Sequence, residues 1–199
     1  MAYGRKWRLK ISYNAPAVLT FVLACVLVQL LSQLTGGASN KALFSVYRSS
    51  LLNPLTYLRL FGHALGHGSW EHLINNMMFI LILGPMIEEK YGTSNTAFVM
   101  LCTAFVTGVI TMLFLPRVAL LGASGIVFAF ILLSSITCAE ERTIPLTFIL
   151  VAVLYIGREI WTGLSSADNV SQLAHVAGGA VGSALGFLLN RFKMTRYHR

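Results

Sequence analysis

Apolar residues gather along this chain in six runs, at about 16–34, 70–87, 95–115, 124–139, 144–161 and 170–190. Most approach the roughly 20 residues a helix needs to cross the hydrocarbon core of a bilayer. Only 11% of the 199 residues are charged, 56% are apolar, and the mean hydropathy is +0.71. A soluble domain would carry about 25% charge. The expected fold is therefore an all-α membrane protein, a single six-transmembrane-helix bundle over residues 1–199, with basic tails at 1–14 and 191–199.

The net charge of +8 invites a nucleic-acid reading, but the positions of the charges favour a membrane one. Arg5, Lys6, Arg8 and Lys10 precede the first run, Arg191, Lys193, Arg196 and Arg199 follow the last, and Lys90 and Arg142 fall in the short loops sharing that side. Lys41, Arg48, Arg59, Arg117 and Arg158 lie on the other side, ten against five. By the positive-inside rule both termini are cytoplasmic, and an even number of spans satisfies this. The basic tails serve as topology signals and contacts for anionic lipid, not nucleic acid. Trp7, Trp70 and Trp161 fall near expected interfaces. The first run exceeds the core of a cleaved signal peptide and is read as a span. Cys25, Cys102 and Cys138 sit in apolar runs without metal spacing and are read as packing residues.

The fourth run is short. Between Gly122 and Glu140 there is too little helix for about 30 Å of hydrocarbon. Its start should lie recessed below the outer boundary, and the stretch from Pro116 to Gly122 should dip down to meet it. Irregular backbone at that depth needs protein or a water-filled cavity beside it, which predicts a hollow with Ser124 near its floor. The large outer connection, Thr35 to Ser69, is unusually apolar and is expected to form short amphipathic helices in the interface.

Polar residues converge on that depth. Ser124 to Glu140, His175 to Arg191 and His72 to Glu88 are each 16 residues, a drop of about 24 Å at 1.5 Å per residue. Ser124 opens its helix within Gly122-Ala123-Ser124-Gly125, and exposed N–H groups at a helix start suit an oxyanion. Taken alone the motif also fits small-residue packing. On the last helix Gly178, Gly182 and Gly186 follow His175 at i+3, i+7 and i+11, on its own face. That groove lets a neighbouring helix approach to backbone contact. If the neighbour is the serine helix, His175 is delivered to Ser124 as a general base. No carboxylate stands obviously behind His175, so a dyad is the economical reading. His72 and Asn76, at i and i+4, share a face and are suitable oxyanion donors. A metal held by His63, His67 and His72 is the competing reading, but it lacks an HExxH base and leaves Ser124 unexplained. His63 and His67 are read as hydrogen-bonding groups of the outer loop, and no cofactor is expected.

With His63-x3-His67-x4-His72-x3-Asn76, Glu88-x3-Gly92, Gly122-Ala123-Ser124-Gly125 and Ala174-His175-x2-Gly178-x3-Gly182 in this order, the chain resembles the rhomboid intramembrane serine proteases of the compact six-span bacterial type. The resemblance implies Ser124 as nucleophile and His175 as base. It also implies an oxyanion hole of His72, Asn76 and the Ser124 N–H, supported by Gly122, Gly125, Phe128, Gly178 and Gly182. The implied substrates are membrane-anchored proteins cut in or near a transmembrane segment, at the plasma membrane, with the site opening away from the cytoplasm. Two positions depart from the family pattern. Leu58-Arg59 replaces an aromatic–Arg pair, and Phe128 stands where a tyrosine often packs on the catalytic histidine. A non-proteolytic relative that binds transmembrane clients is the alternative, and loss of Ser124 or His175 would have favoured it. A transporter or channel is disfavoured because the polar groups stop in the outer third.

Overall fold

The computed structural model describes residues 11–137, 143–165 and 169–197. Arg5, Lys6, Trp7, Arg8, Lys10, Cys138, Glu140, Glu141, Arg142, Asp168 and Arg199 lie outside the described residues, as do the side chains of Arg158, Glu159, Arg191, Lys193 and Arg196.

Helices account for nearly all the regular structure. In chain order they are α1 (Pro16–Leu34), α2 (Ala38–Leu43), α3 (Pro54–Gly62), α4 (Trp70–Tyr91), α5 (Thr93–Phe114), α6 (Ser124–Ile136), α7 (Leu146–Ser165) and α8 (Asn169–Tyr197). The long helices track the apolar runs, with local differences. Helix α4 continues past residue 87 to Tyr91, because Gly92 at φ +86° ends it one turn later. Helix α7 runs to Ser165 and α8 to Tyr197, beyond the apolar stretches that announce them. Helix α6 ends at Ile136, shorter than the run to residue 139, whose last two residues are not described. Among the described residues, Pro16–Leu34, Thr93–Phe114 and Leu173–Asn190 are each long and apolar enough to cross a membrane.

Packing follows polarity in a membrane sense. Large apolar side chains such as Leu23, Leu27, Leu101 and Leu113 face outward, while polar ones turn in. On α5, Thr96, Thr103, Thr107 and Thr111 are all buried, and the Thr107 and Thr111 hydroxyls donate back to the carbonyls of Thr103 and Thr107 at 2.8 Å. Helix α6 is enclosed by α4, α5, α7 and α8. Its consecutive Ile126, Val127, Phe128, Ala129 and Phe130 are all buried, so it is covered on every side, as a central helix must be.

Two polar devices fix the end of the bundle opposite Ser124. Glu88, 4% exposed, accepts from the N–H groups of Ala17 (2.9 Å) and Val18 (3.0 Å), the unpaired donors at the start of α1. A carboxylate there also meets the positive end of the helix dipole. Asn190 of α8 accepts from the Tyr91 hydroxyl (2.9 Å) and donates to the Ile136 carbonyl at the end of α6 (2.8 Å).

The connection from Thr35 to Ser69 contains the short helices α2 and α3, with Asn53 capping α3 through Leu55 N–H. Arg59 is buried in it, donating from Nε to Ala42 O (2.8 Å), with its guanidinium carbon 4.6 Å from the centre of the Tyr47 ring. This connection is tied to the stretch before Ser124 by an antiparallel bridge. Val46 and Leu120 exchange both N–H···O bonds at 2.9 Å.

Candidate active site

Ser124 stands at the first position of α6, half-buried, on a loop whose shape is set by Gly122 at φ +133°. That conformation is open to glycine and rarely to other residues. Space demands glycine as well, since a Cβ at Gly122 would sit 2.8 Å from Cε1 and 2.9 Å from Nε2 of His72. The loop's amides are held by the two histidines of the preceding connection. Gly122 N–H donates to the His63 carbonyl (2.9 Å), and Ala123 N–H donates to His67 Nε2 (3.4 Å). The first bond inside α6 is Val127 N–H to Ala123 O. The amides of Ser124, Gly125 and Ile126 therefore precede the helix's own ladder.

His63 and His67 do not share a face, because α3 ends at Gly62 and the chain turns between them. His63 points to α5, where Nε2–H donates to Ala104 O at 3.0 Å. His67 points to the serine loop, with Nδ1–H donating to Leu65 O at 3.1 Å and its own carbonyl accepting from Asn40 at 2.8 Å. Burial pushes His63 down to about 4, and burial followed by the nearby His72 does the same to His67. Both rings are thus neutral near pH 7, as their hydrogen bonds require. Nothing in their spacing in the sequence announces that they divide the work of holding one loop.

His72 lies edge-on to His67, ring centroids 5.0 Å apart, and against Gly122. Asn76, one turn on, is buried, and its Nδ2 lies 3.8 Å from the position of a Gly122 Cβ. That Nδ2 has no hydrogen-bond partner among the described residues. A buried donor left unpaired costs about 1–3 kcal/mol and invites a ligand acceptor as its explanation.

Helix α8 meets α6 through its glycines. A methyl on Gly178 would overlap the Gly125 carbonyl oxygen, and one on Gly182 would overlap that of Ala129. Gly186 differs, facing only the side chains of Leu133 and Ile136. The same approach sets Ala174 O 3.7 Å from the position of a Gly125 Cβ and lays the His175 ring on Phe128, centroids 4.4 Å apart at 47°. Phe128 lies one turn along α6 from Ser124. Ser124, His72, Asn76, Gly122, Gly125, Phe128, His175 and Gly178 are therefore gathered at one end of the α4–α6–α8 contact, and Gly182 continues the seam below them. The Glu88 cap and the inward threonines of α5 are parts of the architecture that periodicity did not reveal. Glu88 stood out in the sequence as an acid directly after an apolar run and within Glu88-x3-Gly92, and neither signal announced a cap on α1.

A bundle of apolar helices with outward-facing leucines, enclosing one buried helix that opens on a serine, defines a helical membrane protein. The chain belongs to the rhomboid family: the model of the Rhomboid domain matches residues 54–192. It is similar to the chloroplastic Rhomboid-like protein 11 of Arabidopsis thaliana, 29% identical over 140 residues, covering 63% of this chain and 50% of that protein. It is also similar to RHOMBOID-like protein 4 of the same plant, 30% identical over 130 residues, covering 62% of this chain and 32% of that one. The chain spans half or less of the length of these curated relatives.

Proposed function

We propose that the protein is an intramembrane serine endopeptidase that hydrolyses membrane-anchored proteins in or near a transmembrane segment. In this reading α1, α4, α5, α6, α7 and α8 are six spans, both termini are cytoplasmic, and Ser124 opens to the outer side of the plasma membrane. The observation that carries it is the glycine contact of α8 with α6, which brings the turn bearing His175 against the turn bearing Ser124.

His175 takes the Ser124 proton as Oγ attacks the substrate carbonyl carbon. The carbonyl oxygen becomes an oxyanion and accepts from Asn76 Nδ2, the His72 imidazole and the Ser124 N–H, all in place before the charge develops. The intermediate collapses as His175 gives its proton to the departing amine. Water, deprotonated by His175, then attacks the acyl-enzyme, and Ser124 recovers its proton as the acid leaves. No cofactor takes part in these steps.

The test is labelling by a fluorophosphonate probe in liposomes, wild type beside Ser124→Ala and His175→Ala. Labelling that requires both residues is expected. Labelling that persists in Ser124→Ala would overturn the assignment of the nucleophile.

A further inference from the structure

Below the α2–α3 connection, between α1 and α5 and backed by Ile126 of α6, lies a cavity of about 630 Å³ open to the outside. Apart from Thr20 and Thr93 its walls are apolar, and small residues (Ala17, Ala24 and Ala97) hollow it out between α1 and α5. We propose that this groove holds one acyl chain of a phospholipid from the leaflet on the side of the α1 N-terminus. The proposal rests on the membrane-spanning reading of α1 and α5.

Three observations select that occupant. The first is height. The groove follows α1 from Pro16 to Ala24 and α5 from Thr93 to Ala104, about 12 Å and 16 Å at the helical rise. One leaflet contributes about half of a hydrocarbon core of about 30 Å, so the groove matches one acyl chain. The second is closure. Phe44, Leu58 and Phe61 roof the groove. Above it Cys25 Sγ approaches Ala64 O at 3.9 Å, and Leu60 O lies 2.7 Å from the position of a Gly108 Cβ. A transmembrane helix, which needs the full depth, is stopped by this roof, and a chain of the opposite leaflet cannot descend through it. The third is continuity. Leu101 lines the groove yet is 55% exposed, and Phe98 beside it is 52% exposed, so the groove merges with the lipid-facing surface.

The position gives the bound chain a structural task. Its inner wall includes Ala104, whose carbonyl holds the His63 ring, and Ile126, two residues along α6 from Ser124. An empty groove would leave these walls without packing partners, at the cost that attends any apolar void.

The experiment reconstitutes the full chain in liposomes containing a phosphatidylglycerol whose acyl chain carries a diazirine, and maps photo-adducts by mass spectrometry as the probe fraction rises. Adducts at 16–24 and 97–104 are expected to saturate, while those at the outward-facing Leu27 and Leu113 rise in proportion to the probe, as ordinary solvating lipid does. Ala97→Trp, which fills the groove, should remove the saturating adducts and leave those at Leu113. Groove adducts that rise only in proportion, or that survive Ala97→Trp, would overturn the proposal. Should that variant fail to fold, the wild-type saturation curve still decides. Failure of the membrane reading looks different, because adducts would then be missing from Leu27 and Leu113 as well.

Discussion

Replacing Gly178 by alanine adds one methyl group and should cost far more activity than stability. The ideal methyl position lies 2.8 Å from both the carbonyl carbon and the Cα of Gly125, where ordinary contact begins at 3.4 Å. The difference, 3.4 − 2.8 = 0.6 Å, is a lower limit on how far α8 must retreat, because the Gly125 oxygen is nearer still. These are backbone atoms of a buried helix and have no rotamer to give. Overpacking of this kind costs about 1–3 kcal/mol, against which alanine recovers about 1 kcal/mol of helix propensity. The net loss of stability is therefore about 0–2 kcal/mol. Catalysis has no such offset, since the retreat carries His175 away from Ser124, and a displacement near 1 Å costs about 100-fold in rate. Gly186→Ala is the matched control on the same helix, because its methyl meets the mobile Cδ1 atoms of Leu133 and Ile136. Gly157→Ala meets nothing within 4 Å. The assay is the rate of fluorophosphonate labelling beside thermal unfolding in the same detergent. A Gly178→Ala protein that labels at the wild-type rate, or one that loses no more rate than Gly186→Ala, would refute the argument.

His72→Ala and Asn76→Ala should each slow turnover of a membrane-anchored reporter by about 10–1,000-fold while leaving the melting temperature nearly unchanged, as loss of an oxyanion donor does. Glu88→Ala strips two amides of their acceptor and should lower stability by about 0.5–2 kcal/mol; chemical unfolding in mixed micelles measures it, and an unchanged midpoint would deny the cap its role. Burial holds His63 and His67 near 4, below the ordinary value of 6.5, so the unfolded chain binds protons the folded one refuses. Stability is then complete above about pH 6.5 and is lost as pH falls toward 4, by up to a few kcal/mol for each ring. His63→Gln should flatten that descent by its own share, as read from unfolding midpoints across the range.

The apolar runs announce the long helices because a chain without charge for 15 or more residues has few other ways to satisfy its backbone in lipid. Their ends are less legible. Helix α7 continues to Ser165 because nothing in Thr162-Gly163-Leu164 forbids another turn. The seam between α6 and α8 could be read from Gly178 and Gly182, since their spacing puts them on one face. The sequence did not separate Gly186 from them, although it meets side chains where they meet backbone. His72 and Asn76 were legible as an i, i+4 pair, but the partner that brings them to bear, Gly122, comes from 46 residues further along the chain. His63 and His67 were legible as hydrogen-bonding groups of the outer connection, but their partners were not, for the same reason. Their bonds to Ala104 and Ala123 are long-range, and α3 ends at Gly62, so no helical register ties the two rings together.

Helix α6 is pinned at both ends by side chains of other elements. His63 and His67 grip the loop at its top, and Asn190, itself held by Tyr91, grips Ile136 at its foot. A rod about 20 Å long anchored in this way has little freedom to slide along its axis or to bob with the surrounding lipid. A bilayer thickens, thins and undulates, and the outer helices, with their leucines facing it, must ride those fluctuations. The serine hydroxyl keeps its station relative to the protein frame, so its height within a restless solvent is a property of the chain and not of the membrane.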